Sequence, residues 1–409
     1  MYLRRIEIEN IRSIRKLDWH LPDDVASPGW HVVLGNNGSG KSSFLQGVAL
    51  ALLYDADVAA LREQWPHWIA AGSQDGSIVL GFANTSGGAA GQTARMLYRD
   101  GPNRTMRRHP MDEPPPTRFS VGYGPLRRFY GGDNQLLSTD VRRHASLLSE
   151  RVALHSPLDW LRDLDHQRAK APEFVLFSEV TDFVNQTGLL PNNVRFVGVE
   201  QQPDTGFAAM FEDGNNARFT VANLGDGYRA IMVLVLDLLR ELCAFHGNAA
   251  LRGGVAVGTG IVLVDEVDAH LHPKWQRDIG FWLTKHFPNI QFIVTTHSPL
   301  VCQAAEHGSI FVLPDPGSDD EPRMLEGIER SRLIYGSVTE AYSTSGFDMP
   351  TTRSEKGLKL LEELASLNIK ALKQKLTRNE EDRRQLLRAT LPTASDFGNG
   401  NGNGNGGRE

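Results

Sequence analysis

The run Gly35-Asn36-Asn37-Gly38-Ser39-Gly40-Lys41-Ser42 constrains this chain more than any other stretch. It matches the P-loop pattern in full. Before it stands Trp30-His31-Val32-Val33-Leu34, an apolar run that reads as a buried strand, and after it the spacing predicts a helix over 41–53. Glycines let successive backbone N–H groups turn inward around an anion, and a helix N-terminus adds partial positive charge there. A chain built this way presents a phosphate cradle: Lys41 to the β- and γ-phosphates, Ser42 to Mg²⁺.

Three further stretches follow in order. Leu224-Gly225-Asp226-Gly227-Tyr228-Arg229 opens a long apolar helix over 227–245, and its glycines again offer bare N–H groups to an anion. An ordinary helix start capped by Asp226 is the alternative reading. Ile261-Val262-Leu263-Val264-Asp265-Glu266 reads as a buried strand delivering two carboxylates at its C-terminal edge, where open parallel sheets bind ligands. Asp265 suits a Mg²⁺-bound water, and Glu266 suits the general base for an attacking water. In Phe292-Ile293-Val294-Thr295-Thr296-His297-Ser298-Pro299 a strand ends in hydroxyls and a histidine, and His297 is placed to meet the γ-phosphate and that water.

Together the four stretches resemble the ABC-type ATPases of the SMC/RecF branch, and most of all the stand-alone bacterial AAA family proteins with a RecF-like head. Ile8-Glu9-Asn10-Ile11-Arg12-Ser13-Ile14 is similar to that branch's opening strand, with Asn10 and Arg12 among the nucleotide-binding positions. Asp265-Glu266-Val267-Asp268-Ala269-His270-Leu271-His272-Pro273, Gly122-Tyr123-Gly124-Pro125 and Pro157-Leu158-Asp159-Trp160-Leu161 carry the likeness to the stand-alone group, which includes the ATPase subunits of Septu-type anti-phage systems. The resemblance covers residues 1–315. It implies an α/β ABC-type P-loop NTPase head, a mixed core sheet flanked by helices, with a small helical lid insertion. It also implies ATP and Mg²⁺ as ligands. Asn36, Asn37, Gly38, Ser39, Gly40, Lys41, Ser42 and Ser43 would hold the nucleotide from one copy, and Leu224, Gly225, Asp226 and Gly227 from another. Two heads then meet head-to-tail around ATP, as a homodimer or higher oligomer, and hydrolysis by Glu266 with Lys41 and His297 releases them. A separate nuclease or other effector chain is the implied partner.

The sequence departs from the family at three places. Gly225 stands where the signature serine is usual, His272 where the D-loop aspartate is usual, and Arg127 and Arg128 follow the 119–123 strand where a glutamine is usual. A metal-site reading of Asp268, His270 and His272 is set aside, because that stretch fits the family's D-loop.

The chain divides by pattern into 1–130 and 201–315 as the two halves of the head, 131–200 as the lid, 316–394 as a helical extension and 395–409 as a Gly/Asn tail expected to be disordered. No sustained heptads separate the two halves, so the expectation is a compact head rather than a long tether. A helix over 355–375 carries Leu360, Leu361, Leu364 and Leu367 on one stripe, for a partner or for its own core. Asp315, Asp319 and Asp320 sit in a Pro/Gly loop and read as a solvated turn, which weakens a nuclease within the same chain. A net charge of −6 removes any global pull toward nucleic acid, so DNA contact rests on local runs: Arg104, Arg107, Arg108 and His109, and Arg142, Arg143 and Arg162. Cys243 and Cys302 read as buried thiols of a reducing compartment. With no leader pattern at Met1–Ile8 and no long apolar run, a cytoplasmic protein without a membrane span is expected. An ATP-binding transporter subunit and a RecF-like repair ATPase are the alternatives.

Overall fold

Strands β3 (Gly29–Leu34), β7 (Ser120–Tyr123), β13 (Gly260–Val264), β14 (Ile290–Thr296) and β15 (Ser309–Val312) pair in parallel in the order β15-β3-β14-β13-β7, and β16 (Arg323–Met324) closes one edge antiparallel. The structure, a computed structural model, describes residues 1–54, 57–58, 65–83, 89–98, 107–108, 119–127, 139–149, 154, 157–171, 174–190, 193–202, 206–342, 344 and 354–391. It falls into two compact units, Met1–Asp348 and Met349–Glu409.

A parallel sheet is covered on both faces, so its strands read as unbroken apolar runs rather than alternating ones. Alternate residues of β13 accordingly enter two different cores. Ile261 and Leu263 face helix α1 (Lys41–Leu52) together with Ile293, Val33 and Phe311. Val262 and Val264 face the opposite core with Phe292, Val294 and Trp30.

The first core is closed by an antiparallel sheet ordered β2-β1-β4-β5-β6: β1 (Tyr2–Ile11), β2 (Ile14–His20), β4 (Asp75–Ala83), β5 (Ala89–Tyr98) and β6 (Arg107–Arg108). Leu3, Ile6 and Ile8 of β1 and Ile78, Leu80 and Phe82 of β4 lie on its inner face, the period-2 pattern of a half-covered sheet. Buried Gln291 joins β1 to the parallel sheet, since its side chain accepts from the Leu3 N–H and donates to the Leu3 carbonyl, both at 2.8 Å.

The first core also takes α2 (Thr139–Leu148) through Leu147 and Leu148, whereas the second holds α3 and α4 (Pro157–Lys170, Leu176–Gln186), the sheet of β8 (Arg195–Gln202), β9 (Gly206–Glu212) and β10 (Arg218–Thr220), and α5 (Asp226–His246). Beyond them come the hairpin β11–β12 (Leu251–Arg252, Val255–Ala256), α6 (Pro273–His286), α7 (Pro299–Cys302), α8 (Gly327–Tyr335) and α9 (Val338–Tyr342). Cys243 and Cys302 are free and buried, and burial pushes both thiols up, as suits small apolar packing groups.

In the second unit α10 (Glu355–Lys373) meets α11 (Arg378–Thr390). The stripe Leu360, Leu361, Leu364 and Leu367 packs on Leu387 and Leu391, so the apolar face has its cover within the unit. Thr377 and Glu380 form a reciprocal capping box at the start of α11. No described helix is long and apolar enough to cross a membrane.

Candidate active site

All four stretches singled out by sequence lie at loops and helix starts, and three leave the C-terminal edges of parallel strands, where β3, β13 and β14 stand side by side. The P-loop leaves β3 and enters α1. Gly38 and Gly40, at φ 82° and 99°, occupy the left-handed region that a side chain would strain, and a Cβ on Gly40 would come within 3.0 Å of Ile14 and Ser13. Lys41 is buried, and its Nζ donates to the carbonyls of Gly35 at 2.8 Å and Asn36 at 3.0 Å. Burial lowers its pKa, while Asp265, Glu266 and Asp268 pull it back up, so one electrostatic cluster contains the cation and all three carboxylates. Ser39 Oγ is buried with no partner in the protein, a free hydroxyl inside the cradle. The loop therefore has the donors a triphosphate needs and no acceptor of its own for that hydroxyl.

The Asp265–Glu266 pair follows β13. Asp265 is buried, and its Oδ1 accepts from Thr295 Oγ1 at 2.5 Å. Thr295 Oγ1 in turn accepts from the Glu266 N–H at 2.8 Å. Glu266 is kinked to φ 45°, an uncommon conformation for a residue with a side chain. Thr296 Oγ1 donates to Asp268 at 2.6 Å and accepts from the Ser298 N–H at 2.9 Å, so the hydroxyls before His297 hold both acidic segments. His297 is shifted down from its usual value by burial and then by Lys41, against the pull of Asp268, Glu266 and Asp265. That direction favours the neutral ring at neutral pH.

The opening strand ends in two left-handed residues, Asn10 at φ 52° and Arg12 at φ 50°. The Arg12 guanidinium lies 3.9 Å from the centre of the Trp68 ring and donates to Gln46 of α1 at 2.5 Å. Asn36 and Asn37 are exposed, and Asn36 Nδ2 donates to Asp315 at 2.7 Å. Asp315 is thus exposed, as a solvated turn would be, yet bound to the P-loop tip. Sequence gave no signal for that contact between residues so far apart. Ser42 and Ser43 lie in the first turn of α1.

Leu224–Gly227 lie at the start of α5. Gly225 is the N-cap and Asp226 the first helical residue, which corrects the reading of Asp226 as a cap. Leu224 is buried and Gly225 exposed. A Cβ on Gly227 would meet the His270 carbonyl at 2.7 Å, and Tyr228 meets Trp275 edge to face, so this stretch packs on residues 270–275 of its own chain. His272 caps α6, its Nδ1 accepting from the Lys274 N–H at 3.3 Å, and no group of three or more metal-ligating side chains occurs among the described residues.

Arg143 is corrected most firmly. It is buried, bound through Nε to Glu241 at 2.8 Å and through Nη1 to Asp140 at 3.1 Å, and so is no part of a surface patch. Glu241 and Asp237 also hold Arg240, and Tyr123 donates to Asp237 at 3.0 Å, a buried charged network between β7, α2 and α5. Arg162 pairs with Asp159 and Asp163. The side chains of Arg104, Arg107, Arg108 and His109 lie outside the described residues.

Two family models match the chain: an AAA domain described as putative AbiEii toxin, Type IV TA system, over residues 131–303, and an AAA domain over residues 5–69. Over those two stretches the chain is similar to AAA domains. It resembles the Septu protein PtuA of Bacillus mycoides (strain KBAB4), 28% identical over 376 residues, which are 90% of this chain and 46% of that protein. The retron Ec83 probable ATPase of Escherichia coli is 42% identical over 125 residues, 31% of this chain and 22% of that one. The chain thus spans less than half the length of both relatives. Among solved structures, an SMC head bound to the C-winged helix domain of ScpA aligns with TM-score 0.49 at 16% identity, covering 81% of this chain and 100% of that chain.

Proposed function

We propose that the domain binds ATP with Mg²⁺ between two copies, hydrolyses it, and thereby times the action of a separate effector chain. The observation that carries this reading is the single cluster of Lys41, Asp265, Glu266, Asp268 and His297 beside a P-loop whose Ser39 hydroxyl is unsatisfied. Lys41, now donating to loop carbonyls, exchanges those acceptors for phosphate oxygens. Ser42 and Asp265 would hold Mg²⁺, which would neutralise phosphate charge. Glu266 accepts the proton of the attacking water, and neutral His297 meets that water and the γ-phosphate.

The exposed Gly225 N-cap offers the start of α5 to the γ-phosphate of a second copy. ATP then belongs to the dimer interface, and hydrolysis removes the contact that favours the dimer. The likeness to Septu and retron ATPases supports a role in anti-phage defence. A nuclease on a separate chain is the effector we propose, working with this domain in the cytoplasm. A DNA contact by the domain itself loses Arg143 and Arg162 as contributors.

Turnover and nucleotide binding in wild type, Lys41→Ala and Glu266→Gln test the reading. Lys41→Ala should lose ATP binding, and Glu266→Gln should bind ATP but not hydrolyse it. Full turnover in Glu266→Gln would remove Glu266 as the base.

A further inference from the structure

Arg127 is left unexplained by the motifs, yet the chain is built to bring it to the catalytic strand. Strand β7 runs parallel to β13 in register Val264↔Tyr123, and the Asp265 N–H donates to the Tyr123 carbonyl at 2.8 Å. Both strands end there. Four residues later Arg127 turns back, and one amino group, Nη2, donates to the Asp265 carbonyl at 3.1 Å and the Glu266 carbonyl at 3.0 Å. Its Nε is buried without a partner. A guanidinium placed on two backbone carbonyls, rather than on one of the neighbouring carboxylates, fixes the path of the chain.

That path is the unusual one. Glu266 sits at φ 45°, so its backbone must be held to stay there. Thr295 holds it from one side through the Glu266 N–H. Arg127 holds it from the other through the carbonyl. With both backbone groups engaged, only the carboxylate is left to act. Burial lowers the Arg127 pKa to about 10 against the pull of Asp265, Asp268 and Glu266, so the group stays protonated at neutral pH.

We propose that Arg127 is a positioning residue for Glu266, acting from within the same chain by locking the left-handed kink that aims the carboxylate. The inference rests on the reading of Glu266 as general base. It assigns Arg127 a task in the chemical step and none in holding ATP, because its bonds go to the β13–α6 connection and not to the P-loop.

The test compares Arg127→Ala, Arg127→Lys and Glu266→Gln with wild type for kcat, KM, ATP affinity without turnover, and melting temperature. Arg127→Ala should lower kcat on the order of ten- to a hundredfold, the loss expected for a charge-assisted hydrogen bond, with ATP affinity within about twofold. Arg127→Lys, which keeps a charged donor, should recover part of kcat. A fall in affinity and melting temperature alongside kcat would make Arg127 a structural or nucleotide-binding residue and overturn the proposal. So would an unchanged kcat. If Arg127→Ala does not fold, Arg127→Gln takes its place with the same expectations. Glu266→Gln separates the two claims: if it is inactive while Arg127→Ala turns over normally, only the Arg127 inference fails, and if Glu266→Gln turns over normally, the base assignment fails first.

Discussion

Gly225→Ser isolates the proposed contact between copies better than any other single change. The residue is exposed, its φ and ψ of −57° and 146° suit any side chain, and a Cβ there would meet nothing within 4 Å. The free protein therefore accepts serine without strain. As an N-cap, serine improves on glycine by only a few tenths of a kcal/mol. A hydroxyl donated to a γ-phosphate across the interface contributes about 1.5–3 kcal/mol. That moves a dimer constant about ten- to a hundredfold, and the dimer contains the contact twice. The assay is dimer fraction against protein concentration, with ATP and Mg²⁺, in a Glu266→Gln background that holds nucleotide. Gly225→Ala serves as the control that adds a Cβ without a hydroxyl. Serine should tighten the dimer by at least tenfold, alanine should not, and both should melt within about a degree or two of the parent without nucleotide. A dimer constant unmoved by serine, or moved equally by alanine, would refute an N-cap facing phosphate.

Three other expectations follow from two buried groups and one helix cap. Arg143→Ala leaves Glu241 buried with Arg240 as its remaining partner, and should cost about 3 kcal/mol in urea unfolding, much of it recovered in Arg143→Met/Glu241→Met. His31 is fully buried, accepts from Ser309 Oγ and donates to the Ser27 carbonyl, and burial lowers its pKa to about 4. The unfolded chain takes up this proton below about pH 6.5 and the folded chain only near pH 4, so stability present above pH 6.5 should fall by up to about 3 kcal/mol across that window. His31→Gln should flatten the fall in a pH series of melting curves. Thr377→Ala removes the capping box and should speed amide exchange in α11 by about fivefold, as about 1 kcal/mol predicts, with the melting of the first unit, Met1–Asp348, unchanged.

The parts legible in the sequence are those in which local pattern and chemistry coincide. The P-loop, Asp265–Glu266 and Thr295–His297 each sit at the end of an unbroken apolar run, and the structure places all three at neighbouring strand ends. The stripe on α10 was legible as amphipathic, but not its cover, because α11 has one buried apolar residue and reads as a polar segment. Charge was misleading where burial decides the role. Arg143 next to Arg142 looks like surface, and only the approach of Glu241 on α5 makes it a core residue. Arg127 was visible as an oddity in place of glutamine. Its task depends on the register of β7 against β13, which no local pattern encodes.

The central claim is that ATP joins two copies through Gly225 and the P-loop. The mass of the 45.2 kDa chain in its Glu266→Gln form tests it most directly, measured with ATP and Mg²⁺, without them, and with Gly225→Glu added. A nucleotide-dependent doubling of mass that Gly225→Glu abolishes, while nucleotide binding to the monomer persists, is the predicted result. One mass under all three conditions would contradict it.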